Sequence, residues 1–128
     1  MKHIKEYKIF ESSADDFGQE VKECFLSVID IITEDNLKIY AISENRTNLV
    51  AYINNDKNLL NEITDSIYQL NTFDINVIYA HIYYIKRFVE NYRTQGNTTF
   101  YDVEKLEYFL KNLPDNIVMW KIDIGLKK

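Results

Sequence analysis

Residues 75–92 read INVIYAHIYYIKRFVENY, and whether they form a strand or a helix decides the fold. Ile75, Ile78, Ile82, Ile85, Val89 and Tyr92 recur at spacings of 3 and 4, the period of an amphipathic helix. Against that, no Leu, Met, Glu, Gln, Lys or Arg occurs between Ile75 and Ile85, so Ala80 is the one strong helix former there. Val, Ile and Tyr dominate instead, and such side chains lose χ1 freedom on a helix but suit a pleated surface. A buried central strand is expected to about Ile85, with a helix as the alternative.

Working outward, Arg93–Thr98 reads as a loop around Gly96. A helix is expected from Thr99 or Asp102, with Val103, Leu106, Leu110 and Leu113 inward and Pro114 as its stop. The last strand, Ile117–Ile124, is expected to turn Val118, Trp120, Ile122 and Ile124 to one face and Met119, Lys121 and Asp123 to a wet one. Upstream, Ser13 and Asp16 suit the start of a helix running to about Thr33. Its apolar stripe is Phe17, Val21, Cys24, Val28 and Ile31, widened by Phe25 and Ile32. Leu37–Ser43 and Asn48–Ile53, parted by Glu44–Thr47, read as a hairpin. Asn55 or Asp56 opens a further helix with Leu60, Ile63, Ile67 and Leu70 on one face. Lys2–Phe10 is either an edge strand or a short helix. The expected fold is a single α+β domain over 1–128, with 1–12 as an N-terminal extension. Its sheet is mostly antiparallel with helices packed on one face, and a ferredoxin-like sandwich is one member of that class.

Composition bounds the chemistry. The chain has 128 residues, a formal charge of −5, two His, one Cys and three Gly. His3, His81 and Cys24 are scattered, so no catalytic or metal constellation and no cofactor is expected. The negative balance argues against a non-specific nucleic-acid coat, which needs many Lys and Arg on phosphates. A lone cysteine fits a reducing compartment. Met1–Glu11 has no apolar signal region, and Ile75–Ile85 is too short to span a bilayer, so a cytoplasmic protein without a membrane partner is expected. Ile, Asn, Lys and Tyr abound while Ala, Gly and Pro are few, as A/T-rich coding produces. The ten tyrosines are therefore discounted as a recognition surface. Asn45–Thr47 and Asn97–Thr99 match a glycosylation pattern and are read as turns.

Two charge clusters are candidate sites. Asp16, Glu20, Glu23 and Asp30 line the outer side of the first helix and would dock a basic protein partner. Tyr84, Lys86, Arg87, Tyr92 and Arg93 join rings to cations and would suit a nucleotide or another small anion. His81 is expected to be a hydrogen-bonded core or interface residue, and leftover tyrosines would support a homodimer.

The opening MKHIKEYKIFES, with Met1–Lys2, Glu6–Tyr7 and Ile9–Phe10–Glu11, resembles the prohead-targeting peptides of T-even-type tailed bacteriophages. The resemblance covers about twelve residues. It implies a phage-encoded protein in the infected cell and, as an alternative role, a head-associated virion component. Small size, acidity and the lack of chemical motifs instead point to an accessory protein acting on a host or defence factor. Neither role implies an enzyme.

Overall fold

A computed structural model describes residues 16–53, 57–89 and 92–128, the side chains of residues 57, 88, 89 and 92 excepted. Two short helices, α1 (16–24) and α2 (Leu26–Ile32), lead through a turn of 3-10 helix into the hairpin β1 (Leu37–Ser43) and β2 (Arg46–Tyr52). Next come α3 (Lys57–Leu70), a second hairpin of β3 (Asn76–Val89) and β4 (Tyr92–Phe100), α4 (Val103–Lys111) and β5 (Ile117–Lys127). The stretch at 75–92 is thus a strand, as its β-branched and aromatic content favours, and it extends to Val89.

The five strands form one sheet in the order β1-β2-β5-β3-β4, with every neighbouring pair antiparallel. β5 therefore fills the gap between the two hairpins. β2 and β3, both antiparallel to β5, run parallel to one another, and α3 supplies the long crossover that such a pair requires. The α+β class with a mostly antiparallel sheet is as expected. The path differs from a ferredoxin-like sandwich in placing the C-terminal strand at the centre.

One hydrophobic cluster joins the helices to the sheet. Leu49 and Ala51 of β2, Ile122, Ile124 and Leu126 of β5, and Ala80 and Ile82 of β3 are buried together with Phe17, Val21, Phe25, Ile63, Leu70 and Leu106. These strand residues alternate along their chains and stand opposite one another across the ladders: Leu49, Ile124 and Ala80 form one row, Ala51, Ile122 and Ile82 the next. Leu60, Ile63, Ile67 and Leu70 of α3 and Leu106 and Leu110 of α4 are inward as expected, with Val103 and Leu113 partly buried against the cluster. Asp102 caps α4 by accepting from the Glu104 amide at 2.9 Å. Burial of this kind, ~25 cal/mol per Å² of apolar surface, is what holds the layers together.

Several expectations are corrected. The first helix is not continuous: Phe25 leaves helical geometry (φ −107°, ψ 16°), and the turn between α1 and α2 lets both Cys24 and Phe25 point inward. The stripe consequently shifts to Val28 and Ile29, leaving Ile31 46% exposed. Residues 93–98 are not a loop; they lie within β4, whose polar side chains are tolerated because it is an edge strand. Asn97–Thr99 is likewise strand rather than turn. In β5 the ladder with β3 slips between Tyr83 and Tyr84, which pair with Lys121 and Met119 and leave Trp120 as an extra residue. This bulge reverses the alternation, so Met119 is buried with Ile122 while Trp120 goes to the opposite face. Ser13, Asn55, Asp56 and Lys2–Phe10 lie outside the described residues.

Candidate binding face

Every strand has a second set of side chains, on the face away from the buried cluster. Reading across the ladders, Tyr40, Asn48, Gly125 and Tyr79 make one row. Lys38, Val50, Asp123, His81 and Thr99 make the next, and Tyr52, Lys121, Tyr83 and Asn97 a third. Tyr52, with Trp120, lines a cavity shared with Ile31 and Ile32 of α2 and Leu59 of α3, and one side-chain oxygen each of Asn48 and Asp123 is buried. Tyr40 (51%), Ile42 (57%), Tyr52 (43%) and Trp120 (38%) stay exposed.

The rings on this face are in contact. His81 and Tyr83 have centroids 4.6 Å apart, and Tyr83 and Trp120 are 5.4 Å apart, all tilted. Lys121 Nζ sits 4.9 Å from the Tyr83 centroid and 5.9 Å from that of Tyr52, within cation–π range. His81 Nδ1 lies 2.6 Å from Thr99 Oγ1 of the adjoining strand, which fixes the imidazole plane. The Tyr79 ring lies flat over Gly125: a Cβ there would come within 2.2 Å of it. Burial, and then the negative charge of Asp123, push the Tyr79 phenol above its ordinary pKa, while a hydrogen bond with Asn48 and the nearby Arg46 pull the other way.

Charge is sorted between the two layers. Within the strands, Asp123 is the sole acidic residue, against Lys38, Arg46, Lys86, Arg87, Arg93, Lys121 and Lys127. By alternation all of these cations except Lys86 fall on the uncovered face. The described helices carry the opposite excess, with Asp16, Glu20, Glu23, Asp30, Glu62, Asp65, Glu104 and Glu107 against Lys22, Lys57, Lys105 and Lys111. The ion pairs formed among described residues are Lys22–Glu34, Lys111–Glu107 and Lys128–Glu20, so none uses a strand cation. The net charge of −5 that spoke against nucleic acid is an average over two unlike surfaces.

The predicted anion cluster is divided by this geometry. Arg87 and Arg93 stand directly opposite each other on the uncovered face. Tyr84 and Lys86 point to the helix side, where Tyr84 packs over Gly96 and Lys86 Nζ lies 5.9 Å from the Tyr84 centroid. The side chain of Tyr92 is outside the described residues. In the predicted docking stripe, Asp16, Glu23 and Asp30 are exposed, Glu20 is held by Lys128 at 2.6 Å, and the break at Phe25 puts Asp30 on a different helix from the rest. Burial, then Glu23 and Glu20, raise the pKa of the inward Cys24 thiol, which suits a packing role. Sequence reasoning missed Arg46 and Lys127, which read as turn and as chain beyond the last strand. It missed the ring rank because the bulge that sends Trp120 across is not visible in one strand, and it placed Lys121 on the wet face without joining it to the other cations.

A groove of about 590 Å³ also lies beside α4, lined by Phe100, Tyr108, Phe109, Pro114 and Ile117 with Asp102, Glu104 and Lys105 at its polar margin. Among the described residues no three His, Cys, Asp or Glu side chains gather as a metal ion would need, and no helix is long and apolar enough to cross a membrane. No family model, no curated protein and no solved structure matches the chain.

Proposed function

We propose that this chain is a non-enzymatic accessory protein that works by laying the uncovered face of its sheet against an anionic partner. The observation that carries this reading is the sorting of charge: six strand cations, with one acid, Asp123, among them, surround a contacting set of aromatic rings, while the helices of the opposite layer carry an acidic excess. Rings and guanidinium groups at low conformational-entropy cost are the usual anchors of binding surfaces. Arg87 beside Arg93, and Arg46 beside Lys127, are cross-strand like-charge pairs that cost stability in isolation. A bound anion relieves that repulsion. A tailed-phage source and a head-associated role rest on residues 1–12, outside the described residues, and a host or defence target rests on size, acidity and the lack of chemical motifs; none of these bears on the choice of surface.

The test is amide chemical-shift mapping of the full chain titrated with polyglutamate and with heparin fragments. Shifts should concentrate at Lys38, Arg46, Arg87, Arg93, Lys121 and Lys127 and fade with added salt. Shifts confined to the helices, or none with either polyanion, would reject the reading.

A further inference from the structure

We infer that the uncovered face binds single-stranded nucleic acid, stacking bases on Tyr83, Trp120 and Tyr52 while the surrounding cations hold phosphates. This rests on the anionic-partner reading above and names the partner.

Three features favour a nucleic-acid strand over an acidic polypeptide. First, the cations frame a ring surface. Arg46 and Lys127 lie at one end and Arg87 and Arg93 at the other, some eleven residues apart along β3, or about 35 Å at ~3.3 Å per residue. That length accommodates several nucleotides, in the range of the roughly 4–16 covered by other single-strand binding folds. Second, the exposed Trp120 and Tyr52 offer ring faces to which any base can stack, with the partly buried Tyr83 packed against Trp120 and Lys121, whereas glutamate side chains gain nothing from rings. Third, Gln95, Asn97 and Thr99 project from β4 on the same face, next to the rings. They offer donors and acceptors to base edges, which a free strand exposes and a duplex hides.

Trp120 is the chain's one tryptophan, so its fluorescence reports on the proposed site without labelling. The full chain is titrated at low salt with four probes: a 12-nucleotide oligo-dT, an abasic oligomer of the same length, a 12-base-pair duplex, and polyglutamate. Oligo-dT should quench Trp120 and bind at least about tenfold more tightly than the other three. Tyr83→Leu, which keeps bulk without a ring, should weaken it by about tenfold to a hundredfold. The exposed Arg87→Ala should lower the slope of log affinity against log salt by about 0.7, one phosphate contact. Equal binding of the abasic oligomer and polyglutamate would overturn the nucleic-acid inference and leave the anionic-partner reading standing. Binding of no probe would overturn both. Sedimentation at the same concentrations covers the remaining occupant: a dimer that dissociates on Tyr40→Glu and ignores oligo-dT would give the face to a second copy and sink the inference.

Discussion

Ile82 and Tyr83 are neighbours on β3, yet Ile82 is wholly buried beneath the helices while Tyr83 lies on the far side among His81, Lys121 and Trp120. The same contrast repeats along β2, where Leu49 and Ala51 are buried and Asn48 and Tyr52 are not, and along β5, where Ile122 and Ile124 flank Asp123. One face is close-packed and apolar, so its residues are replaceable only at a cost in volume. The other mixes rings and like charges whose mutual repulsion a stability-driven surface would have little reason to keep. The difference separates residues that hold the fold from those available for recognition.

The comparison breaks first at the covered face. Ile82→Ala should cost about 2–5 kcal/mol in urea or thermal unfolding, since it empties volume at the middle of the sheet. A loss below about 1 kcal/mol would mean that the helices do not pack there.

Gly125→Ala comes next, at about 1–3 kcal/mol, because the new methyl meets the Tyr79 ring. Combining it with Tyr79→Ala should recover part of that loss in a double-mutant cycle; simple additivity would show that the ring does not lie over the glycine. The same tyrosine gives a pH signature. Its pKa is raised in the folded state, so the proton is held more tightly folded than unfolded. That contribution is intact below the ordinary value of 10.0 and is lost as pH climbs through the raised one. Unfolding free energies measured across this alkaline range should fall less steeply in Tyr79→Phe, and matching curves would remove Tyr79 as the source.

Asp102→Ala should cost about 1 kcal/mol by removing the α4 cap, measurable by helix signal on heating. At the bottom of the series, Tyr40→Ser on the uncovered face should change stability by no more than about 0.5 kcal/mol. A cost above about 1 kcal/mol would show that Tyr40 is packed beneath something and is not part of an open surface.

Much of the architecture is legible in the sequence itself. Val, Ile and Tyr outweighed helical spacing in the stretch beginning at Ile75, and Leu60, Ile63, Ile67 and Leu70 marked the inner side of α3, because both signals are local. β4 escaped notice: Arg93, Thr94, Gln95, Gly96 and Asn97 look like a loop until a neighbouring strand supplies their backbone partners. Trp120 was assigned to the wrong face because a bulge is a property of two paired strands, and alternation within one strand cannot reveal it. Of the anion cluster, Arg87 and Arg93 were brought together while Tyr84 and Lys86 went to the other side, since side chains one residue apart on a strand point opposite ways.

Sequence alone determined most element types, the apolar stripes of α3 and α4 and the absence of any local motif for chemistry, because these depend on spacing within a dozen residues. Tertiary structure alone decided that β5 would run between two hairpins, and that step gathers Arg46, Arg87, Arg93, Lys121 and Lys127 onto one surface with Tyr83 and Trp120. Net charge is a sum without direction. Only the order and register of paired strands give it a side.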